Sequence, residues 1–161
     1  MKYSSPVRPG LLAALALAAL VVTPAFAQAQ KAPPSKAERV IKYRQSVLYL
    51  LGWNIGPVAA MVKGEIPLDK DAVVLHADRL AQLAPMIAEG FPADSQSGAP
   101  TKAKPAIWQN KSDFEAKAAE LERVTAKFAT TARSGDPKQI AAGLGEVGGA
   151  CKACHEKYRA D

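Results

Sequence analysis

The residues best suited to chemistry are Cys151, Cys154 and His155, which form a Cys-x-x-Cys-His motif. This pattern is the signature of covalent c-type haem attachment. The two thiols add across the two vinyl groups of a porphyrin, and two intervening residues on a helical turn let both sulfurs face one edge of the ring. The adjacent imidazole is carried over the ring face, where it can bind iron. The motif predicts one covalently attached haem c, with His155 as the metal ligand.

Two other uses of the cysteine pair fit the sequence less well. A thioredoxin-like dithiol gains its low thiol pKa at a helix N-terminus, whereas these cysteines lie near the end of a predicted helix. A zinc site needs four ligands, and the chain contains only two cysteines and two histidines. Because both cysteines belong to the motif, no structural disulfide is available. In an exported protein, capture of both thiols by haem would leave this pattern.

The first 27 residues predict a cleaved secretory signal. Lys2 and Arg8 give its charged segment, an apolar run follows from Leu11 to Val22, and Ala25-Phe26-Ala27 supplies the cleavage site. We therefore expect export to the periplasm and a mature domain of residues 28–161. The apolar run is too short to span a bilayer comfortably. No later segment resembles a membrane span, so we do not expect the mature chain to insert into a membrane.

Length and charge restrict the number of domains and the kinds of partner that we expect. The mature chain of 134 residues fits a single domain. The whole chain has a net charge of +6, and without the two basic residues of the signal, 19 basic and 15 acidic residues remain, a net charge of +4. This balance is mild and no basic cluster with interleaved aromatic residues occurs, so nucleic acid is not an expected partner.

The spacing of apolar residues predicts four helices and no strand. Ser35 and Glu38 form a capping box for the first helix, and interior glycines with Pro57 should weaken or kink it. Asp69 caps the second helix, whose predicted apolar face contains Ala72, His76, Leu80, Leu83 and Ile87. The third helix begins near Trp108 or at a second capping box, Ser112 to Glu115. Asp136 and Pro137 start the fourth helix, which carries the motif.

These elements predict an all-α fold, an antiparallel up-down-up-down four-helix bundle. The connection Glu89–Pro105 is the longest predicted loop, and the other two connections are short. Alternating helix directions bring the end of the fourth helix to the same end of the bundle as the start of the first. The end of the second helix and the start of the third lie there too. A haem on the motif would be enclosed by these segments.

The second iron ligand can be assessed from this arrangement. His76 lies about 18 Å from the haem end at the rise of an α-helix, and Met61 lies at the far end of the first helix. Met86 is at the right end, but a methionine beside Pro85 and Ile87 is more often core filler. We therefore expect five-coordinate iron with an open apolar distal side. A six-coordinate electron shuttle with His155 and Met86 as ligands remains the alternative.

Glycines mark two stretches of helix that suit close backbone contact. Because Gly52 and Gly56 have no side chains, they expose a strip of the backbone of the first helix. This strip could pack closely against another helix of the same chain or against a second subunit. The fourth helix is rich in glycine before the motif, at positions 143, 145, 148 and 149. Each costs up to about 1 kcal/mol relative to alanine. They permit either close approach of a porphyrin or neighbouring helix, or a break in the helix.

Several segments outside the motif resemble the cytochrome c′ family of high-spin, four-helix-bundle c-type cytochromes. They are residues 42–46 (Lys-Tyr-Arg-Gln-Ser) with Leu48, 52–53 (Gly-Trp), 61–64 (Met-Val-Lys-Gly), 107–108 (Ile-Trp) and 148–159. The resemblance implies that Leu48 covers the distal haem face and that Arg44 and Gln45 contact the haem propionates. It also implies that Arg159 lies beside the proximal face. Low-spin relatives have a methionine early in the first helix, and this chain has none there.

The resemblance implies a periplasmic haem protein that binds nitric oxide and carbon monoxide and exchanges electrons with an unidentified redox partner. Pairing through the first two helices as a homodimer is a further implication. We do not expect an enzyme, because a peroxidase needs a distal base and no second histidine is in range. Arg44 could instead be a solvated surface arginine, and Arg159 could belong to a fraying chain end.

Overall fold

A computed structural model describes residues 32–160, so the predicted signal, residues 1–27, lies outside the described part. Four long helices are present, which we number α1 (Lys36–Val62), α2 (Lys70–Leu83), α3 (Lys111–Ala132) and α4 (Pro137–Tyr158). Three short 3-10 turns (Ala84–Met86, Ala88–Gly90 and Ala93–Ser95) and the helical turn Ala106–Gln109 connect α2 to α3. Within residues 32–160 the only β structure is an isolated antiparallel bridge between Ala103 and Arg159. The predicted all-α, antiparallel four-helix bundle is confirmed.

Three of the predicted helix starts are confirmed by their capping hydrogen bonds. The Glu38 N–H donates to Ser35 Oγ at 3.2 Å, and the Ser35 N–H donates to Glu38 Oε2 at 2.7 Å. Asp69 Oδ1 accepts from the N–H groups of the first turn of α2 at 2.9 and 3.1 Å. Asp136 caps α4 by accepting from the Lys138 N–H at 2.8 Å. Each cap satisfies backbone donors that have no partner inside the helix.

Two local predictions were wrong. The second capping box, Ser112 to Glu115, does not form: α3 begins at Lys111 after Asn110, which makes no side-chain cap hydrogen bond. The helical turn Ala106–Gln109, which contains Trp108, comes just before it, so helical structure begins near Trp108, the other start that the sequence offered. The buried face of α2 is shifted by one position in its first half, so that Val73 and Ala77 are buried and His76 is at its edge. Ala72 lies on the predicted face and Val73 and Ala77 lie on the observed one, so the apolar pattern alone did not distinguish the two faces.

The inward stripe of α1 contains two polar residues among apolar ones, Arg44 and Asn54. Asn54 Nδ2 donates to the Leu50 carbonyl at 2.7 Å, which leaves Asn54 Oδ1 to accept from His76 Nδ1 at 3.0 Å. This hydrogen bond links α1 to α2 far from the motif. Burial, followed by the nearby Arg79 charge, lowers the pKa of His76. Both effects favour the neutral imidazole, whose Nδ1–H donates to Asn54.

Helix α1 is long and apolar enough to cross a membrane by length and composition alone, contrary to the expectation that no later segment would be. It nevertheless packs along α2 and buries Arg44 and Asn54 within the bundle. Its opposite face leaves Tyr49, Leu50 and Trp53 exposed to solvent, by 67, 42 and 62 %. An exposed apolar surface of this kind is typical of an interaction site.

The glycine-rich part of α4 is an intact helix, so the proposed break is absent. Gly143 is required by close packing, because an added Cβ would lie 2.7 Å from Phe128 Cδ2 on α3. At Gly145, Gly148 and Gly149 an added Cβ would meet no atom within 4 Å. Close contact between helices therefore explains one of the four glycines, and the other three face outward.

Candidate haem site

A cavity of about 660 Å³ lies at the end of the bundle that contains the motif. It lies where α1 faces α4, an adjacent helix pair that makes less direct contact than the other adjacent pairs. All seven residues predicted for the site line it: Arg44, Gln45, Leu48, Cys151, Cys154, His155 and Arg159. The remaining lining is mainly apolar and comes from every long helix, including Leu51, Ile55, Leu80, Ile87, Phe91, Ile107, Phe114, Leu121 and Val147. The predicted end of the bundle is the end that contains the cavity.

The motif residues enter this cavity from the last two turns of α4. Cys151 and Cys154 are half-buried and His155 is exposed at the helix surface. Burial raises the pKa of both thiols, and the neighbouring Cys151 adds to the rise at Cys154. A reactive dithiol needs the opposite shift, so the burial of these thiols disfavours a thioredoxin-like role. Burial first and the Arg159 charge second lower the pKa of His155, which favours the neutral imidazole that a metal requires.

Tyr158 fixes the end of the motif helix against α3. Its ring is 2 % exposed and packs edge-on against Phe114, with 5.4 Å between ring centroids. Its hydroxyl donates to Asp113, which also accepts from Lys157 Nζ at 2.9 Å. These two donors, Tyr158 first, lower the pKa of the Asp113 carboxyl. The contacts anchor the last turn of α4, just beyond His155, against α3.

Arg44 is a buried hub and not a solvated surface arginine. Its side chain is 2 % exposed, and its two terminal nitrogens donate to the Ser95 carbonyl (2.8 Å), Ser95 Oγ (3.1 Å) and Thr101 Oγ1 (3.0 Å). The guanidinium also lies over the rings of Phe91 and Trp108, at 4.9 and 5.5 Å from their centroids. Arg44 therefore fastens the connection between α2 and α3 to α1. The sequence contained one signal for this, since Arg44 lies between Ile41 and Val47 on the inward stripe.

The part of α1 beyond Arg44 forms a largely apolar wall of the cavity. Gln45 Nε2 donates to the Pro100 carbonyl at 2.9 Å, and Leu48 follows on the same helix with 40 % of its surface exposed. Leu51, Gly52 and Ile55 extend this wall. Leu48 lines the cavity without being enclosed by protein, so its main packing partner would be a group inside the cavity.

A segment that the sequence did not predict closes the cavity between α1 and the end of α4. Residues 101–103 line it, and backbone hydrogen bonds tie them to the end of α4. The Lys104 N–H donates to the Tyr158 carbonyl at 2.9 Å, and the Ala160 N–H donates to the Lys102 carbonyl at 2.8 Å. Arg159 lies within this bridge, so this part of the chain does not fray. No local pattern marks the segment, because its partners are more than fifty residues away in the sequence.

The alternative iron ligands lie elsewhere. His76 is bonded to Asn54, and Met61 is buried in the core. Met86 is half-buried against the core, and its carbonyl accepts a 3.4 Å hydrogen bond from Tyr43. None of the three is among the described residues that line the cavity. His155 is the only histidine in that lining.

The residues present fit a covalently held haem. The cavity has the size of a cofactor site and a mainly apolar lining, and both thiols and an imidazole enter it from one side. Among residues 32–160 no group of three or more histidine, cysteine or acidic side chains could hold a metal ion directly. This donor set suits a metal that is supplied within a macrocycle, with one axial ligand from the protein. Fold and site together define a four-helix-bundle c-type haem protein.

Comparison with known proteins identifies the family. The cytochrome c′ family model matches residues 39–159. Cytochrome c′ from Cereibacter sphaeroides is 39 % identical over 128 residues, 76 % of this chain and 84 % of that protein. Cytochrome c′ from Shewanella frigidimarina superposes with a TM-score of 0.76 at 34 % identity, covering 80 % of this chain and all of the other. The chain belongs to the cytochrome c′ family and carries one covalently attached haem c.

A further similar structure contains a gas. It is the nitric oxide complex of a leucine-to-alanine variant of cytochrome c′ from Alcaligenes xylosoxidans. It is 30 % identical to this chain, with a TM-score of 0.73, and covers 80 % of this chain and 99 % of the other.

Proposed function

We propose that this chain is a periplasmic haem protein with five-coordinate iron that binds nitric oxide and carbon monoxide and exchanges electrons, and that it is not an enzyme. When bound, the haem supplies an iron centre that takes up small gases and carries one electron. The observation that carries the proposal is the α1 wall of Leu48, Leu51, Gly52 and Ile55. This part of the lining supplies no imidazole, thioether or carboxylate. It therefore offers neither a second iron ligand nor the distal base that peroxide cleavage needs.

Each site residue has a role in this proposal. Cys151 and Cys154 hold the cofactor through two thioethers, and His155 is the axial ligand. Arg44 and Gln45 face the propionates and Arg159 lies beside the proximal face, as family resemblance suggests. Leu48 shields the open side and moves when a gas enters. The nitric oxide complex of the related protein supports gas binding at this site.

The attachment role is tested by removing the thiols. Cys151→Ala and Cys154→Ala each leave at most one thioether, so we expect acid-acetone to extract a good share of the haem from either variant. The protein with both cysteines should retain its haem in the same treatment. Covalent haem in the double variant would overturn the attachment assignment.

The gated pocket is tested by carbon monoxide affinity. A ligand must displace the Leu48 side chain, at a packing cost of about 1–3 kcal/mol. Leu48→Ala removes this obstacle and should raise the affinity of the reduced protein about ten- to a hundredfold. Leu50→Ala is a matched control, because Leu50 is equally exposed (42 % against 40 %) and lies outside the cavity lining. Equal affinities of the two variants would refute the gate.

The coordination state is tested by the spectrum of the same samples. Five-coordinate iron gives high-spin bands in the unsubstituted protein, and Met86→Leu should leave them unchanged, since Met86 lies outside the cavity lining. A low-spin spectrum that becomes high-spin in Met86→Leu would establish the six-coordinate shuttle instead.

We also propose a homodimer through the outer face of α1. Tyr49 and Trp53 stack with 6.4 Å between ring centroids on this face, and both are exposed. At Gly56 an added Cβ would meet no atom within 4 Å, so packing within the chain does not explain this glycine, whereas Gly52 belongs to the cavity wall. A second copy would cover this apolar strip and approach the bare backbone closely.

Sedimentation of the mature protein tests the dimer. At micromolar concentration we expect twice the mass of a chain of about 14–15 kDa. Trp53→Glu should give monomers, because it introduces a charge into the apolar strip. Ala142→Glu, on the exposed surface of α4, should leave the mass unchanged. A monomer for the unsubstituted protein would refute the interface.

A further inference from the structure

Leu48 has four neighbours on the surface of α1, at the positions three and four residues before and after it. They are Arg44, Gln45, Leu51 and Gly52. Arg44 is buried and held by its hydrogen bonds, and Gln45 donates to a backbone carbonyl at 2.9 Å. Leu51 is half-buried and packs against the core. Gly52 is the one neighbour without a side chain, so space beside Leu48 is left on that side.

Gly52 borders the cavity, and its position has room for a side chain. It lines the cavity together with Leu48, and an added Cβ would meet no atom of residues 32–160 within 4 Å. It lies inside the continuous helix α1 and does not have a positive φ, so the backbone does not require glycine there. Glycine also stabilises a helix less than alanine does. The feature that glycine provides at this position is therefore the space itself.

This space is within reach of the Leu48 side chain. Residues four apart on a helix have Cβ atoms about 5–6 Å apart, so a methyl group at position 52 would meet the branched end of Leu48 when that end turns towards it. Leu48 is 40 % exposed, so core packing does not hold it in one rotamer. On the opposite side, the fixed side chains of Arg44 and Gln45 leave no comparable room.

We propose that Gly52 keeps open the space into which the Leu48 side chain moves when a gas binds, and that it thereby sets how large a ligand the distal side admits. This proposal rests on the Leu48 gate of the proposed function and adds the residue that allows the gate to move. Gly52 is a positioning residue in this role, because it acts through Leu48 and not on the ligand. A diatomic gas needs a small displacement of Leu48, whereas a longer ligand needs a larger one.

Gly52→Ala in the holoprotein tests this role. The new methyl occupies the space, so the carbon monoxide affinity of the reduced protein should fall about tenfold, the scale expected of overpacking by one methyl group. The affinity for ethyl isocyanide, a longer ligand of reduced haem, should fall further. Gly145→Ala is the matched control, because Gly145 is also an exposed helix glycine without an atom of residues 32–160 within 4 Å of an added Cβ, and it lies outside the cavity lining. It should change both affinities by less than about twofold.

The Leu48→Ala background separates the two ways in which a methyl at position 52 could act. When Leu48→Ala is combined with Gly52→Ala, no large side chain has to be displaced, so the affinity should equal that of Leu48→Ala within about twofold. The visible spectra of ligand-free Gly52→Ala and Gly145→Ala should match the spectrum of the unsubstituted protein. Both variants should unfold at a higher urea concentration than the unsubstituted protein, because alanine favours the helix.

Three results would overturn the role of Gly52 and leave the gate in place. Equal affinities of Gly52→Ala and Gly145→Ala would show that the space is not used. A loss of the same size in the Leu48→Ala background would show that the methyl acts on the ligand or through a subunit interface. A changed spectrum of ligand-free Gly52→Ala would show that the methyl meets the haem directly.

Failure of the gate itself gives a different result. Leu48→Ala would then bind carbon monoxide with the affinity of the unsubstituted protein, and the role of Gly52 would fail with the gate.

Discussion

Replacing Arg44 is the sharpest test of how the site is built. Arg44→Met keeps an unbranched side chain of similar length but removes the guanidinium. It leaves the Ser95 carbonyl, Ser95 Oγ and Thr101 Oγ1 without this donor, and Ser95 has no exposed surface. The chain would therefore lose the contacts that join the connection after α2 to α1.

The magnitude follows from these contacts. A hydrogen bond from a charged donor contributes about 1.5–3 kcal/mol, and four are lost, because Arg44 also donates to the Gly90 carbonyl at 3.3 Å. Part of this loss is offset, because burying a guanidinium itself costs several kcal/mol; the same burial lowers the pKa of Arg44. We expect a net decrease in the free energy of unfolding of about 3–5 kcal/mol, the range found when a buried charged contact is broken.

Urea unfolding of the holoprotein, followed by circular dichroism at 222 nm, measures this change. Arg79→Met is the control, because it makes the same substitution at an exposed arginine of α2 and should cost less than about 0.5 kcal/mol. Arg44→Lys should lie between the two, since lysine keeps the charge but not the planar fork of donors. The hub interpretation is refuted if Arg44→Met costs no more than Arg79→Met.

Two further predictions concern the helices. Gly143→Ala should destabilise the bundle by about 1–3 kcal/mol, because the new methyl would lie 2.7 Å from Phe128. Gly148→Ala should stabilise it by up to about 1 kcal/mol, since no atom lies within 4 Å of the added Cβ. Urea unfolding midpoints that rank the two variants in the opposite order would contradict this account of the packing. The lowered pKa of His76 means that its contribution to stability is present above pH 6.5, the ordinary value, and is lost as the pH falls through the lowered pKa. His76→Gln should flatten the fall in unfolding free energy below that pH, and an unchanged slope would show that other groups cause it.

The sequence predicted those parts of the molecule that depend on nearby residues. The caps at Ser35, Asp69 and Asp136 were predictable because each side chain bonds to the backbone within three residues. The motif was recognisable from its residue spacing, and the end of the bundle that encloses it followed from the alternating helix directions. The first residue of α3 was not predictable in this way, because α3 begins at Lys111 after Asn110 and no side chain caps it.

What the sequence left open depends on distant contacts. The position of Arg44 on the inward stripe was visible, but its acceptors Ser95 and Thr101 lie more than fifty residues further on, in a connection without periodicity. The same holds for the segment around Lys102, which meets the end of α4 through backbone groups. Backbone pairing of this kind is nearly independent of residue type, so it cannot be predicted from the composition of the segment.

The cavity between α1 and α4 has a thermodynamic consequence. A ligand that dissociates stabilises a protein by mass action, so its effect depends on its concentration. A group joined through Cys151 and Cys154 cannot dissociate, and its contribution to folding is as constant as that of a leucine. The melting temperature of the holoprotein should therefore be unaffected by added haem. The packing between α1 and α4 then depends on a cofactor that is attached to the chain after its synthesis.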